Sequence, residues 1–537
     1  MNDMTTEYVA AFDAGTTALK GALVNGQGCI VASASSELDL IINGDYREQS
    51  PDQWWQAFCS ASRHMIEQAR QSESEFNVTR IRGIIFSGQM QDVIVLNGEL
   101  NPVRNAILYS DGRAEEQAKQ LAETYQGGAE RFLNTVGNRL EGCLPLPKLM
   151  WLREHEPETY ARIRHVLISS KDYLIAQLTG ECVGDVAACS TAGAMNIRNG
   201  QWNAELCEVA GIDMTILPHL HNPQDNIGTV TESAAQRTGF SAGTAVYAGI
   251  GDAGATTLAS GVSHPGQYNI NIGTSGWIAT VSPEPFTDKP GAANLAFGVE
   301  EGFVNAVPFL NAGDVHKWVT GVFADGDYVE AHRLIETSKP GSNGVLCLPY
   351  LVGERFPVMN PNIRGAYVGL DPDTAKADMM RAALEGVAFS IRQGMESFDA
   401  KPTEISLIGG GARENAWCQI LADVLEHPIE VFANADILPA VAMASLVFNV
   451  PDLLQSVCEC TVYQPNPDTA RTYADAYRRF LSLYPNAAND GLGTEHHEAI
   501  GEFGPQTYSG HRTGARRGIP LFYGDSGTSA WCTGLGA

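Results

Sequence analysis

The chain has 537 residues, a length that exceeds what one hydrophobic core usually serves and that predicts two domains. Hydrophobic residues make up 44% of it, which is enough for two cores. Thirty-five basic against 62 acidic residues give a net charge of −27, without a run of lysine or arginine, so we expect no nucleic acid and no membrane partner. The amino terminus lacks the features of a signal peptide, and no stretch of about 18 apolar residues occurs, so we expect a cytoplasmic protein.

The first predicted element is the β-hairpin FDAGTTALKG, whose tip is short and polar. Glycine lets the backbone approach an anion, and the N–H groups and hydroxyls of such a tip can bind phosphate oxygens. A neighbouring carboxylate can hold the magnesium ion that accompanies ATP, although an ordinary turn uses the same residue types. The candidate phosphate and nucleotide ligands are Gly15, Thr16, Thr17 and Lys20, and the candidate magnesium ligand is Asp13.

Up to about residue 258, strand-like runs such as RGIIFSGQM alternate with helix-like runs such as DQWWQAFCSASRHMIEQA, which predicts an α/β domain. Near its end, GIGDAG has the glycine spacing of a dinucleotide-binding loop. No acidic residue for a ribose follows in 254–282, which disfavours that interpretation. Asp252, at the end of a predicted strand, can instead accept a proton from a substrate hydroxyl, or it can cap a helix.

A second α/β block then repeats the features of the first. The segment YNINIGTSGWIATVS again predicts a strand, a polar residue, a glycine turn and a second strand, so we expect a duplicated fold with nucleotide between the halves. Farther on, ISLIGGGARENAWCQILADVL predicts a strand, a glycine turn and an amphipathic helix, and a flat adenine ring can lie against such a turn. The candidate nucleotide ligands in this half are Gly273, Thr274, Ser275, Gly410 and Gly411.

Two further observations limit the interpretation. The chain contains no Gly-Lys pair, which excludes the Walker type of nucleotide-binding loop. Beyond residue 485 the sequence is rich in Gly, Thr and His and has little periodicity, so we expect 486–537 to form a tail, to which we assign no role.

Taken together, these segments resemble the FGGY family of carbohydrate kinases, and within it the xylulokinases most closely, from about residue 8 to residue 485. The segments that carry the resemblance are FDAGTTALKGALV, PDQWWQA, FSGQMQDVIVL, ILYSDGRA, PKLMWLREHEPE, SSKDYLIAQLTGE, GIGDAGA, NIGTSG, LPYLVGERFPVMNPNIRG and LIGGGARENAW. The resemblance implies an α/β fold of two actin-like, ribonuclease H-like ATPase domains, 1–258 and 259–485, around a cleft for ATP, magnesium and sugar.

The resemblance also assigns roles by position. Asp252 would be the general base, and Asp13 would help to hold magnesium. Gly313 and Asn415 would join the nucleotide ligands. The residues at the positions that contact sugar are Met90, Gln91, Asp252 and Ala253.

Two of the sugar positions depart from the pattern of the xylulokinases. The usual Gly-Gln-Met-His-Gly has Gln91-Asp92 in place of its last two residues, and the usual Gly-Asp-Asn ends in Ala253. Glutamine can replace a hydrogen bond of histidine, but alanine cannot replace that of asparagine, so these positions affect substrate identity more than reaction class.

The sequence therefore predicts an ATP-dependent kinase for a small sugar, with D-xylulose, converted to D-xylulose 5-phosphate, as the leading acceptor. Another polyol, ketopentose or sugar acid, such as ribulose, glycerol or gluconate, stays open as the acceptor. An NAD-linked oxidoreductase and a non-catalytic actin-like ATPase are the alternatives from other classes. The missing ribose ligand argues against the first, and the presence of Asp252 argues against the second. A homodimer is also left open.

Overall fold

The computed structural model describes residues 7–489 apart from 290, 433–437, 452 and 455–458, with side chains up to residue 484. Each half of the chain builds one seven-stranded sheet. The strands of the N-terminal sheet are β1 (Tyr8–Ala14), β2 (Ala18–Asn25), β3 (Ile30–Glu37), β4 (Ile81–Gly88), β5 (Asn226–Thr229), β6 (Ala245–Tyr247) and β7 (Ile250–Gly251). Those of the C-terminal sheet are β8 (Gln267–Ile272), β9 (Gly276–Ser282), β10 (Ala293–Ala296), β11 (Phe303–Phe309), β12 (Glu404–Ile408), β13 (Ile429–Phe432) and β14 (Cys460–Tyr463).

The two sheets repeat one arrangement. Their orders are β5-β6-β4-β1-β2-β3, with β7 beside β4, and β10-β11-β9-β8-β12-β13-β14. Around the first strand of each hairpin, β1 and β8, the neighbours agree in direction. On one side, the hairpin partner pairs antiparallel with this strand, and the next strand pairs antiparallel with the partner. On the other side, two strands follow one another in parallel pairing. Five strands thus recur in order and direction, which confirms the predicted duplicated, actin-like α/β fold.

Eight helices cover the sheets and shape the loops at their ends. They are α1 (Pro51–Ser72), α2 (Ser170–Thr179), α3 (Asp252–Ala259), α4 (Gly313–Phe323), α5 (Lys376–Met395), α6 (Asn415–Leu425), α7 (Leu438–Phe448) and α8 (Ala470–Asn489). Further helices span Glu115–Thr124, Gly128–Val136, Pro145–His155, Pro157–Tyr160, Val186–Cys189, Ala204–Ala210, Glu232–Thr238 and Tyr328–Thr337. Short strands outside the two sheets span Ile41–Asn43, Tyr46–Gln49, Ile94–Leu96, Ala106–Ile107, His165–Leu167, Val183–Asp185, Met195–Asn196, Gln201–Trp202, His219–His221, Leu346–Leu348 and Ala366–Val368.

Each sheet has its own core, and α7 links the two halves. Helix α1 starts at Pro51, whose fixed φ suits a first helical position, and it packs Trp54, Phe58 and Met65 fully buried against the N-terminal sheet. Helix α7 follows the C-terminal strand β13 in the chain but packs on β1, β4 and α3 of the N-terminal half. Helix α3, which begins with Asp252, is therefore held from both halves of the chain.

The register of the strands decides which loops meet. Because β1, β4 and β7 run parallel, with Ala14 opposite Gly88 and Gly88 opposite Gly251, their carboxyl ends lie side by side. In the C-terminal sheet, β8 and β12 end together, with Asn271 opposite Ile408. Ligands of α/β sheets bind at such carboxyl ends, so these loops are the expected place of a binding site. In the part of the chain that the structure describes, no helix is long and apolar enough to cross a membrane.

Candidate functional site

Two carboxyl groups stand at the carboxyl ends of two strands of the N-terminal sheet, β1 and β7, that flank a third strand. Asp13 is the penultimate residue of β1, and Asp252 follows β7 directly as the first residue of α3. Strand β4 lies between the two and pairs with both β1 and β7. The predicted magnesium ligand and the predicted general base therefore face the same edge of the sheet.

Asp252 has the electrostatic properties of a proton acceptor. Asp252 is half-buried, and the desolvation of its carboxyl, with further contributions from the charges of Asp13 and Asp185, raises its pKa to about 7. Its Oδ1 accepts a hydrogen bond from the N–H of Ala253 at 2.8 Å, which lowers the pKa in part. A carboxyl that titrates near neutral pH can take and return a proton under ordinary conditions.

The environment of Asp13 fixes one of its oxygens. Its Oδ1 accepts a hydrogen bond from the Ser87 hydroxyl at 2.8 Å, and Lys20 lies opposite it across the hairpin. Burial raises the pKa of Asp13, while Ser87 and Lys20 lower it. The Oδ2 atom lies towards the glycine turn, since a Cβ placed on Gly15 would be 3.7 Å from it.

The first hairpin tip is supported by two buried glutamines that the sequence analysis did not single out. The Thr16 hydroxyl donates to Gln89 Oε1 at 2.8 Å, and Gln89 Nε2 donates to Gln49 Oε1 at 2.9 Å. Gln49 Nε2 returns to the carbonyl of Thr16 at 2.7 Å, which closes the loop of contacts. The Thr16 hydroxyl therefore donates its hydrogen within the protein, whereas the hydroxyl of the exposed Thr17 can donate to a ligand.

The second hairpin tip is formed by Gly273, Thr274 and Ser275, with the latter two exposed. The start of α4 rests on it. Gly313 N donates to Gly273 O at 2.9 Å, and Asp314 N donates to Thr274 O at 3.0 Å. A Cβ on Gly313 would lie 2.2 Å from Gly273 O, so only glycine permits this approach.

The glycine turn after β12 packs on the same end of β8. Gly409 has a φ of +92°, and a Cβ on Gly411 would lie 2.4 Å from Ile272 Cγ2. At Gly410 the nearest atom would be Ile272 O at 3.9 Å, so this residue faces open space. The structure thus gathers the predicted nucleotide ligands of the C-terminal half around the end of β8. Asn415 lies one turn farther on, exposed at the start of α6, and its Oδ1 accepts a hydrogen bond from Tyr463.

The predicted sugar residues adjoin Asp252. Met90 is buried against the end of β7, where a Cβ on Gly251 would lie 2.0 Å from its Sδ. Gln91 follows with a left-handed backbone, φ 63°, and its carbonyl accepts a hydrogen bond from Lys148 Nζ at 3.2 Å. Ala253 comes directly after Asp252 and packs on the core that α7 covers.

Two buried ionisable residues, Asp92 and Lys148, support this sugar loop. No role could be assigned to them from the sequence, although both lie in segments that carry the family resemblance. Asp92 is fully buried, and its Oδ1 accepts from Tyr109 N at 3.1 Å. Burial holds the pKa of Asp92 well above its ordinary value, although Lys148 lowers it. Lys148 also donates to Leu108 O at 2.7 Å, so the pair joins the sugar loop to the 108–109 segment.

The GIGDAG glycines serve packing. Gly249 has a φ of +65°, and a Cβ there would lie 1.8 Å from Phe86 O. A Cβ on Gly254 would lie 2.4 Å from Ile250 Cδ1. The spacing that imitates a dinucleotide-binding loop is therefore explained by close approaches of β7 and α3 to their neighbours.

Comparison with known proteins agrees with this arrangement. The N-terminal domain of the FGGY family of carbohydrate kinases matches residues 8–259, and the C-terminal domain of the same family matches residues 268–444. The chain is therefore a carbohydrate kinase, a class that implies the use of ATP. It belongs to the FGGY family, which confirms the resemblance found in the sequence.

Three individual proteins show the degree of similarity. The xylulose kinase of Staphylococcus xylosus is 31% identical over 435 residues, which cover 79% of this chain and 86% of that protein. The crystal structure of xylulose kinase from Rhodospirillum rubrum matches with a TM-score of 0.81 and 27% identity, over 90% of this chain and 99% of that one. The gluconate kinase from Lactobacillus acidophilus matches with a TM-score of 0.77 and 25% identity, over 90% and 99%.

Proposed function

We propose that the protein transfers the γ-phosphoryl group of ATP to the terminal hydroxyl of D-xylulose and so forms D-xylulose 5-phosphate and ADP. Similarity to two xylulose kinases supports the choice of sugar. The observation that carries the reaction is Asp252, a carboxyl with a pKa of about 7 beside the sugar loop and next to Asp13. A cytoplasmic location and a homodimer stay predictions.

Asp252 acts as the general base in this proposal. Its carboxylate takes the proton of the acceptor hydroxyl while the hydroxyl oxygen bonds to the γ-phosphorus. The bond from that phosphorus to the bridging oxygen breaks, and ADP leaves. The N–H groups and exposed hydroxyls of the two hairpin tips, Thr17, Thr274 and Ser275, line the path of the phosphates and stabilise their charge.

Asp13 is the residue that fits magnesium. This ion usually takes one or two protein carboxylates and completes its shell with phosphate oxygens and water. Asp13 suits that role because Ser87 fixes one oxygen and the other lies near the first tip. Across the described residues, no group of three or more His, Cys, Asp or Glu side chains is placed to hold a metal ion. When bound, the ion would neutralise phosphate charge.

The charges near the sugar loop favour a neutral acceptor. Asp252 must be ionised to act as the base, and Lys148 already donates to the carbonyls of Gln91 and Leu108. A sugar acid would bring another carboxylate into this surrounding, at a cost in desolvation and repulsion. A ketose therefore fits better than gluconate.

The test is product analysis. The protein is incubated with ATP, magnesium and D-xylulose, and the products are examined by phosphorus NMR and mass spectrometry. We expect ADP and a pentulose phosphate whose phosphorus couples to the C5 methylene, which lies next to a CHOH carbon, and not to the C1 methylene, which lies next to the carbonyl. ADP without any sugar phosphate would indicate an ATPase and contradict the proposal.

A further inference from the structure

Three consecutive side chains at the start of α2 each donate a hydrogen bond to the backbone of a different segment of the site. All three are fully buried, and each acceptor is a carbonyl oxygen. The bonds run from Ser169 Oγ to Gln89 O at 2.7 Å, from Ser170 Oγ to Ala14 O at 2.6 Å and from Lys171 Nζ to Ala248 O at 3.1 Å.

Each of the three acceptors lies next to, or a few residues before, a predicted site residue. Ala14 follows Asp13, Gln89 precedes Met90, and Ala248 lies just before the strand that leads to Asp252. The segments that hold the predicted magnesium ligand, a sugar contact and the base are thus all fastened to one short stretch. Because these segments are far apart in sequence, their spacing depends on the pairing of β1, β4 and β7 and on these three bonds.

The approach of Ser170 is specific. A Cβ on Gly88, the last residue of β4, would lie 2.8 Å from Ser170 Oγ, so a larger residue there would push α2 away from the strand ends. Ala14 O also accepts a hydrogen bond from Gln89 N at 3.1 Å. The end of β1 is therefore held both by its neighbouring strand segment and by α2.

Lys171 links this stretch to a second buried group. Its ammonium lies 2.6 Å from Asp172 Oδ1 and 2.8 Å from Asp185 Oδ2, and all three side chains are fully buried. Asp185 Oδ1 accepts from Ala187 N and Ala188 N and so caps the helix that follows it. Buried ion groups often contribute little net stability but can enforce one arrangement.

We propose that Ser169, Ser170 and Lys171, with Asp185, form a positioning element that sets the spacing of Asp13, Met90 and Asp252 for phosphoryl transfer. The inference rests on the proposed function, since it takes Asp252 as the base. None of the four is placed in contact with substrate. Their effect is on the geometry of the groups that are, and small displacements of reacting groups have large effects on rate.

The charge of Asp185 can be removed without removing its cap on the helix that follows it. Asparagine at this position keeps an oxygen that can cap the helix, so it separates charge from shape.

The first experiment compares Ser169→Ala and Ser170→Ala with Ser62→Ala. Ser62 is also fully buried and donates to a carbonyl, that of Phe58 at 2.6 Å, but within α1 and away from the strand ends. We expect all three variants to lose similar amounts of melting temperature. Only the first two should lose kcat, by about three- to tenfold each, the effect of one hydrogen bond, with KM for ATP changed by less than about twofold. Equal kcat in all three variants would overturn the inference.

The second experiment measures kcat for Asp185→Asn, which removes one charge from beside the Lys171 ammonium. We expect kcat to fall by about three- to tenfold with KM for ATP changed by less than about twofold, and an unchanged kcat would count against the element. Asp252→Asn is measured in parallel to separate the two proposals. If it is inactive while the serine and Asp185 variants behave like Ser62→Ala, only this inference fails. If Asp252→Asn retains full activity, the assignment of the base fails, and the inference falls with it.

Discussion

At the residue scale, the chemistry of Asp252 follows from its surroundings. An isolated aspartate is ionised far below neutral pH, but burial and the charges of Asp13 and Asp185 raise its pKa to about 7. The carboxyl is thereby matched to the pH at which it must accept and release a proton. Because the pKa is raised in the folded state, ionisation of this carboxyl at neutral pH lowers the stability of the fold. The pKa that suits catalysis therefore has a cost in stability.

The Asp252→Asn variant tests both effects, the loss of the base through kcat and the gain in stability through the melting temperature. We expect kcat to fall roughly 10²- to 10⁴-fold, the usual effect of losing a general base, while ATP still stabilises the protein in a thermal shift. In the unmodified protein the folded state binds more protons than the unfolded state between about pH 4 and pH 7, so its stability falls as pH rises through that range. The melting temperature of the variant should therefore exceed that of the unmodified protein at neutral pH and approach it near pH 4.

Two outcomes would contradict this account of Asp252. A variant that keeps kcat within about threefold would not have lost its base. A melting temperature difference that does not depend on pH would show that the carboxyl is ionised without penalty. The activity of the unmodified protein supplies a further check, since kcat/KM should fall tenfold per unit of pH below about 7.

Ala253 offers a test of sugar selection at the same scale. Asparagine at this position would supply an amide where the xylulokinases have one, next to Asp252. We expect Ala253→Asn to raise kcat/KM for D-xylulose over D-ribulose by about three- to tenfold, the worth of one hydrogen bond. Ala253→Leu is the matched control, because it adds volume without an amide. Equal effects of the two substitutions would exclude the hydrogen bond as the cause.

At the scale of elements, the sequence predicted what depends on local pattern. The two hairpins are marked by apolar alternation on both sides of a short polar tip, and the glycine turn before α6 is marked by a strand, three glycines and an amphipathic helix. Those elements are confirmed. The bonds of Ser169, Ser170 and Lys171 and the packing of α7 on the N-terminal sheet were not predicted, because they join residues distant in sequence and leave no periodic signal.

In the glycine turn, Gly411 tests steric fit within the protein, and Gly410 tests contact with the nucleotide. Gly411→Ala places a Cβ 2.4 Å from Ile272 Cγ2 and should lower the free energy of unfolding by about 1–3 kcal/mol. Gly410→Ala meets no protein atom closer than 3.9 Å and should leave stability unchanged. If Gly410 lies against the nucleotide, this substitution should still raise KM for ATP. Unchanged KM with unchanged stability would remove Gly410 from the nucleotide site.

At the scale of the whole molecule, the two halves are joined at specific places. Asn138 and Asn294 exchange hydrogen bonds of 2.8 and 2.9 Å between the halves, through Asn294 O and Asn294 N. Helix α7 adds apolar packing across the same boundary. We expect closure around ATP and sugar to keep these contacts and to exclude water from the reacting groups.

The tail provides a prediction at this scale. The tail expected at 486–537 begins inside α8, which continues to Asn489 and packs Tyr473, Tyr477 and Phe480 into the C-terminal core. Residues 490–537 lie outside the described part of the chain. We expect a protein that ends at Asn489 to fold and to keep the kcat of the full chain, because every candidate site residue precedes the cut. Insolubility of the shortened protein, or a large loss of kcat, would show that the tail supports the core or the site.

The central claim is that this carbohydrate kinase acts on D-xylulose, and the most direct measurement is kcat/KM for ADP release with different acceptors. D-xylulose, D-ribulose, glycerol and gluconate are compared at saturating ATP and magnesium, with acceptor-free ATP hydrolysis subtracted. We expect the highest value for D-xylulose, a modest lead over D-ribulose because of Gln91 and Ala253, and the lowest value for gluconate. No ADP release above background with D-xylulose, together with clear release with one of the other acceptors, would contradict it.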